Sequence, residues 1–186
     1  MVGLTMALHD LHITGVSKLM RNDALEQVFS RLRTRTGNHF VYGPHAMLRL
    51  RKALKQKDCI GMLIDQQVGP GSGGIWCDFF GLPVLTSSAV ARLALRSGAA
   101  IVSSVACPLP DGRTRINCRE IPYQLTGNEE ADIQAISQQC LRFCESVVRD
   151  RPEHWLWSYK RWKNRPCPER GLYPDYSRPL ALQNPA

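Results

Sequence analysis

The chain has 186 residues, of which 44% are apolar, and its formal net charge is +8 at pH 7. This length and apolar content indicate one globular domain with a substantial core. The positive charge favours acidic partners, and nucleic acid, an anionic membrane surface and phosphorylated small molecules remain open as partner classes. Seven cysteines, an odd number without a C-x-x-C pair, favour reduced thiols over a disulfide scaffold or a zinc site.

No stretch of the sequence predicts a membrane span or a signal sequence. The longest apolar stretch, residues 89–106, contains Arg92 and Arg96 and is interrupted by Gly98. Residues 1–8 have neither the basic flank nor the length of a signal sequence. They are apolar and start without an N-cap residue, so they predict the latter half of a buried helix.

Two short strands and two amphipathic helices are predicted next. Residues 13–16 and 39–42 have strand character, and Asn22 or Asp23 can cap a helix between them. The apolar stripe of that helix is expected to face inward and consists of Leu25, Val28, Phe29 and Leu32. A second helix follows Gly43. Its inward residues would be Met47, Leu50 and Leu54, and its solvated basic face would be Arg49, Arg51, Lys52, Lys55 and Lys57.

Residues 58–83 contain the most informative stretch. The apolar residues 59–64 predict a buried strand with Asp65 and Gln66 at its carboxyl end, where open α/β sheets place ligand chemistry. Asp65 can equally be a structural carboxylate that caps a loop or pairs with an arginine. The glycine-rich residues 69–74 lack the lysine and hydroxyl of a P-loop. Phe80 and Gly81 predict core and a turn, or the lining of an acyl groove.

The second half predicts a helix closed by Gly98, a strand at 99–105 and another at 114–121. The succession of strand 59–64, helix and strand 99–105 argues for a β-α-β unit with a parallel pair. Residues 126–129 have capping-box spacing before a long amphipathic helix. The predicted fold class is therefore α/β, with one domain at 1–173 and a proline-rich tail at 174–186.

An aromatic and basic segment begins near residue 155. Tryptophans interleaved with lysine and arginine suit a lipid interface, and the residues predicted to lie there are Trp155, Trp157, Arg161, Trp162 and Lys163. The same composition can stack on single-stranded nucleic acid. Arg31 and Arg35 share a helix face while Arg33 points about 200° away from Arg31, so a solvated cluster is the alternative to a ligand grip.

No residue of this chain is indicated as a catalytic base or nucleophile. None of the five histidines has an acidic residue five positions further on. His9 and Asp10 are adjacent, so they point apart on regular structure and make a poor base pair. Nothing in the sequence activates Cys59 or Cys77 as a nucleophile.

Several motifs together resemble the bacterial lipid A late acyltransferase family, the lauroyl and myristoyl acyltransferases of lipopolysaccharide assembly. They are Asp65-Gln66, the F-F-G-L-P run at 79–83 with Thr86, the helix-glycine pattern at 91–99, E-H-W-L-W at 153–157 and R-W-K-N-R-P at 161–166. The resemblance covers about residues 11–173, and its strength lies in the order and spacing of the motifs.

The resemblance implies a glycerolphosphate acyltransferase-like α/β fold, with a mostly parallel central sheet flanked by helices. It implies transfer of a fatty acyl group from an acyl-carrier-protein thioester to a hydroxyl of an anionic lipid A precursor, on the cytoplasmic face of the inner membrane. No cofactor, metal or nucleic acid is implied. Lys18 stands at the family's arginine and Leu19 at its proline. The residues implied to bind substrate are Arg31 and Arg33 of an R-x-R, Asp65 and Gln66 of a D-Q, and Phe80 and Gly81 of an F-G.

The sequence departs from the family at its catalytic signature, H-x-x-x-x-[DE], which occurs nowhere in the 186 residues. In the family that motif stands just before the helix that residues 1–8 resemble, so the catalytic histidine and acidic residue are expected to lie before Met1. The chain is therefore expected to be N-terminally truncated, with no catalytic residue of its own and no acyl transfer by itself. The alternative is a non-catalytic protein that binds anionic lipid or acyl-carrier protein.

Overall fold

A computed structural model describes residues 2–69, 71–164 and 166, which form five helices, seven strands and one 3-10 turn. The helices are α1 Val2–Ala7, α2 Asp23–Thr34, α3 Ala46–Lys55, α4 Ala89–Ser97 and α5 Glu129–Asp150. The strands are β1 Ile13–Val16, β2 His39–Val41, β3 Cys59–Gly61, β4 Gly74–Phe79, β5 Leu82–Ser87, β6 Val102–Pro108 and β7 Thr114–Glu120. Pro152–His154 forms the 3-10 turn.

Two of the sequence predictions fall at the ends of the chain. Residues 1–8 were predicted to be helical, and α1 covers Val2–Ala7 of them, while Met1 lies outside the described residues. The predicted proline-rich tail, 174–186, also lies outside the described residues.

The first half of the chain folds into a parallel sheet in the order β2-β1-β3. α2 connects β1 to β2 and α3 connects β2 to β3, as parallel pairing requires. The prediction of a buried strand over 59–64 was wrong in part. β3 ends at Gly61, Cys59 is exposed, and the Leu63 side chain is 75% exposed, because this short strand lies at the edge of the sheet.

The second half contains two antiparallel hairpins, β4-β5 and β6-β7. Phe80 and Gly81 form the two-residue turn of the first, with φ of 56° and 76°. Positive φ at both positions matches the right-handed twist of the strands and is typical of a type I′ turn. The predicted parallel pairing of strand 59–64 with strand 99–105 was wrong. β6 pairs with β7, and the parallel sheet among the described residues has three strands.

The longest helix, α5, contributes to both buried core clusters of the described residues. Asn128 caps it by accepting a hydrogen bond from the Ala131 amide at 3.1 Å. Ile133, Ile136 and Cys140 of α5 pack on α4, and Leu141 packs on β4 and β5. The α/β class is thus confirmed, whereas the glycerolphosphate acyltransferase-like fold remains a prediction.

Two amphipathic helices behave differently from one another. In α3, Leu50 is fully buried and Leu54 is half-buried, but the predicted inward position of Met47 was wrong, since Met47 is 38% exposed. The five basic residues predicted as a solvated face are exposed. In α2, the predicted inward stripe was wrong, since its exposures are Leu25 48%, Val28 53%, Phe29 41% and Leu32 48%. No described residue of α2 is buried, and the half-buried ones are the polar Glu26, Ser30 and Arg33.

Candidate active-site wall

The carboxyl ends of the three parallel strands meet at one edge of the sheet. Ser17 follows β1, Tyr42 follows β2, and Asp65 lies four residues beyond β3. Arg33 of α2 reaches this edge, because its Nη1 donates to Ser17 Oγ at 2.9 Å. Its guanidinium lies 5.7 Å from the Phe29 ring centre and 5.8 Å from that of Phe40. A partly buried cation therefore stands where ligands bind in open α/β sheets.

Arg31 lies on another side of α2 and is exposed. It lines an open groove of about 360 Å³ with six neighbours, namely Leu19, Glu26, Gln27, Ser30, Thr34 and Tyr42. Tyr42 follows β2, so the groove opens onto the edge that Arg33 reaches. Arg31 and Arg33 thus approach the same edge of the sheet from different sides of α2, and they do not bind one ligand group together.

The residues 65–68 form a segment held by the far end of the chain. The Gln67 amide donates to the Tyr159 hydroxyl at 2.9 Å, and Asn164 donates from its backbone N to Gln67 Oε1 at 3.4 Å. Asn164 Nδ2 also donates to the Val68 carbonyl at 3.5 Å. Gln67 forms a single antiparallel bridge to Thr86 of β5. Gln67 and Tyr159 are 92 positions apart, so two distant segments, 65–68 and 155–164, form one wall.

Arg161 is the buried centre of this wall, with 0% exposure. Its Nη1 donates to the Leu85 carbonyl at 3.1 Å, and its Nη2 donates to Thr86 Oγ1. The prediction of Arg161 at a membrane interface was wrong. A guanidinium presents five donors in a rigid fork, and the end of β5 supplies two acceptors for it, so the side chain folds inward.

The surroundings of Arg161 are electrostatically unusual. Burial lowers its pKa, while the negative potential of Tyr159, Cys144, Asp65 and Cys77 opposes that effect. Among the described residues, Asp65 Oδ1 and Arg161 Nε are buried and have no hydrogen-bond partner. One acceptor and one donor of the wall thus remain without a hydrogen-bond partner within the described part of the chain.

The remaining predicted interface residues divide into two groups. The rings of Trp155 and Trp162 each lie 5.7 Å from that of Phe79, and Trp162 Nε1 donates to the Phe79 carbonyl at 3.3 Å. They are half-buried and pack on the hairpin. Trp157 is 58% exposed and Lys163 is exposed, so an interfacial role for these two stays a prediction.

Phe80 and Gly81 lie at the hairpin turn and not on the 65–68 segment. The Phe80 amide donates to Glu145 Oε1 of α5, and the Arg149 guanidinium lies 4.8 Å from the Phe80 ring centre. Their role in substrate binding remains a prediction, as does that of Gln66, which is exposed.

The wall contains no residue that the sequence analysis named as catalytic. The expected catalytic histidine and acid were placed before Met1, which itself lies outside the described residues, so that placement stays a prediction. The nearest described element is the short helix α1, which begins at Val2. Its Gly3 carbonyl accepts a hydrogen bond from Asn38 Nδ2 at 3.0 Å, and Asn38 Oδ1 accepts one from the Ile13 amide at 3.0 Å. Asn38 therefore ties α1 to the start of β1.

The sequence predicted no site role for three polar residues of the wall and the sheet edge. Ser17 orients Arg33, while Tyr159 and Asn164 hold the 65–68 segment. For Tyr159 and Asn164, the available signal was a hydroxyl and a side-chain amide within an aromatic and basic segment, since both groups can form hydrogen bonds. Ser17 had no local signal, because its partner is 16 residues away.

A family model for the bacterial lipid A biosynthesis acyltransferases matches residues 1–164. The chain belongs to this family. The match spans the whole of the wall, including both the 65–68 and the 155–164 segments, and it confirms the family that the motifs resemble. No curated protein matches the chain.

Two further findings concern membrane-spanning helices and metal ligands. Within residues 2–69, 71–164 and 166, no helix has the length and apolar character needed to cross a membrane. The same residues contain no group of three or more histidine, cysteine, aspartate or glutamate side chains arranged to hold a metal ion.

Three cysteines are expected to be unreactive, of which Cys77 and Cys140 are buried and Cys144 is half-buried. Burial raises the pKa of Cys77 and Cys140 to about 11 and that of Cys144 to about 12. Because the thiolate is the nucleophile, iodoacetamide at about pH 8 should label exposed Cys59 and Cys118 in the native protein and leave these three unlabelled. Peptide mass spectrometry measures this, with urea-unfolded protein as the control. Native labelling of Cys144 as fast as that of Cys59 would contradict the packing described.

Proposed function

We propose that this chain supplies the substrate-binding wall of an enzyme that transfers a fatty acyl group to a hydroxyl of a lipid A precursor. The observation that carries the proposal is the family match over residues 1–164, which includes every residue of the wall. The donor would be an acyl-carrier-protein thioester. In the reaction the acceptor oxygen forms an ester bond with the acyl carbon, the thioester C–S bond breaks, and the acceptor proton passes to a base and then to the thiolate.

The positions of the basic residues support this assignment. Arg33 is held by Ser17 at the carboxyl edge of the sheet, and Arg31 lines the adjoining groove. Arginine binds phosphate through paired donors, so these two suit the phosphates of a lipid A precursor or of an acyl donor. Asp65 would support the site through its unpaired Oδ1.

We further propose that these 186 residues do not transfer an acyl group by themselves. Removal of the acceptor proton requires a base within hydrogen-bond reach. The sequence contains no H-x-x-x-x-[DE]. His154 Nε2 lies 3.9 Å from Glu153 Oε1, but Glu153 is its neighbour in sequence, whereas the acidic residue of the motif stands five positions after the histidine. The chain would act at the cytoplasmic face of the bacterial inner membrane, bound to its surface.

The second candidate function is non-catalytic binding of an anionic lipid or of acyl-carrier protein. The exposed cations of α3 favour it, since Arg51, Lys52 and Lys55 share one face of the helix with exposed Leu48. Such a face fits an acidic partner whether or not chemistry follows.

A labelled-acyl assay with a parallel binding measurement tests the proposal. The protein is incubated with radiolabelled acyl-carrier-protein thioester and a lipid A precursor in mixed micelles, and precursor binding is measured in parallel. We expect bound precursor without labelled product, and binding about tenfold weaker in Arg33→Gln because a charged hydrogen bond to phosphate is lost. Arg113→Gln, an exposed arginine in the β6-β7 turn, is the control.

Each result that contradicts the proposal has a distinct meaning. Labelled product above the protein-free blank would refute the proposed inactivity and leave the family function standing. Failure to bind either the precursor or the carrier protein would refute the family function, and a preference for oligonucleotides would replace it with nucleic-acid binding.

A further inference from the structure

The amphipathic helix α2 has its apolar side turned outward. Its four large apolar residues recur at i, i+3, i+4 and i+7, so they form one row, which we call the α2 stripe: Leu25, Val28, Phe29 and Leu32. All four are between 41% and 53% exposed. The polar side of the helix faces the protein, where Ser30 and Thr34 line the groove beside Tyr42.

Two further exposed apolar residues precede the helix in sequence. Leu19 is 60% exposed and Met20 is 36% exposed, and both lie within three residues of the Asn22 cap. Single exposed apolar side chains are common on soluble proteins, whereas a contiguous patch marks a surface that something covers. A helix that packs its polar side inward exposes such a patch as a consequence of its orientation.

Exposed cations lie close to the α2 stripe in sequence. Lys18, Arg21, Arg31 and Arg35 are all exposed, and no ion pair within the described part of the chain involves any of them. At 100° per residue, Arg35 lies about 80° from Leu25 on one side of the stripe.

The two carboxylates of α2 do not neutralise these cations, which we call the basic rim. Asp23 points about 160° away from Leu25. Glu26 is half-buried and accepts a hydrogen bond from the Met20 amide at 2.9 Å.

An anionic bilayer surface fits both properties of this face. Lipid headgroups supply phosphates for the rim, and the adjoining acyl region covers the apolar row. Nucleic acid would pair with the arginines and leave the four apolar side chains in water. A second copy would cover the stripe but bring the two arginine rims together, because a two-fold interface places the same patch on both subunits.

We propose that the outward side of α2 lies on an anionic lipid surface, with the α2 stripe inserted among the lipids. The inference rests on the proposed function and names its membrane contact, which is α2 and not the 155–164 segment. It places Arg33 and the carboxyl edge of the sheet next to the headgroups, where a lipid precursor enters without leaving the bilayer.

Vesicle flotation with the full chain tests this placement without requiring any acyl transfer. Vesicles of phosphatidylethanolamine and phosphatidylglycerol are compared with vesicles of phosphatidylcholine alone. We expect binding to the anionic vesicles, weakened more than about tenfold by Val28→Asp with Leu32→Asp, since two charges cannot enter the acyl region. Arg31→Gln with Arg35→Gln should weaken binding to anionic vesicles only.

Matched controls keep the test specific. Val102→Asp with Leu125→Asp changes two apolar residues of 55% and 62% exposure elsewhere on the surface and should bind as the wild type does. Circular dichroism verifies that every variant is folded. Equal binding by the α2 variant, or loss of binding in Trp157→Ser instead, would overturn the proposal. A dimer in sedimentation velocity that the α2 variant dissociates, with no vesicle binding, would also overturn it and leave the proposed function intact.

Discussion

Replacement of Arg161 by methionine is expected to lower the free energy of unfolding by about 2–6 kcal/mol, because it leaves two buried acceptors without their donors. The methionine leaves the Leu85 carbonyl and the Thr86 hydroxyl without their donor, and these residues are 6% and 2% exposed. Each buried group left without a partner costs about 1–3 kcal/mol. Urea unfolding followed by circular dichroism measures the change.

Two further variants make the result for Arg161 interpretable. Arg161→Lys keeps the charge but loses the fork that spans both acceptors, and we expect an intermediate loss. Arg149→Met removes an arginine whose side chain is 65% exposed, and it should cost less than about 1 kcal/mol. If Arg161→Met is as stable as Arg149→Met, the guanidinium is not the centre of the wall.

Phe79→Ala is expected to cost about 3–5 kcal/mol, the usual range for a large aromatic residue in a core. Phe79 is 1% exposed, and its ring centre lies 4.8 Å from that of Phe80 and 5.7 Å from those of Trp155 and Trp162. Its loss removes the hairpin surface on which the 155–164 segment packs. Tryptophan fluorescence should therefore shift toward that of exposed indole, in addition to the loss of stability measured in urea.

Trp76→Ala is the matched control for Phe79→Ala. Trp76 lies in the same strand with 39% exposure, so its replacement should cost about 1 kcal/mol. Comparable losses for the two variants would mean that the segment does not pack on the hairpin as described.

Local features of the fold were predictable because their causes are adjacent in sequence. Asn22 and Asn128 cap α2 and α5 through amides three residues on, and Gly98 ends α4 with φ of 68°. Strand pairing was harder. The predicted β-α-β unit paired the strand at 99–105 with the strand at 59–64. The hairpin β4-β5, which lies between them in sequence, was missed because the glycines at 69–74 indicate a loop.

The site shows the same division. Asp65 was named as a candidate site residue because it ends an apolar run, which is visible within a few residues. The position of Arg161 depends on acceptors 75 and 76 residues away, and composition alone assigns an arginine among tryptophans to a lipid surface. The outward stripe of α2 has a related cause. Periodicity predicts that a helix has an apolar face, but it does not predict whether the protein core or another surface covers that face.

The most direct test of the joined wall is hydrogen exchange at the Gln67 amide, measured by NMR in the wild type and in Tyr159→Phe. The amide donates to the Tyr159 hydroxyl at 2.9 Å across 92 positions of sequence. We predict strong protection in the wild type, and loss of that protection in Tyr159→Phe while the amides of β4 and β5 stay protected. Exchange of the Gln67 amide at the rate of an unstructured chain in the wild type would contradict the account.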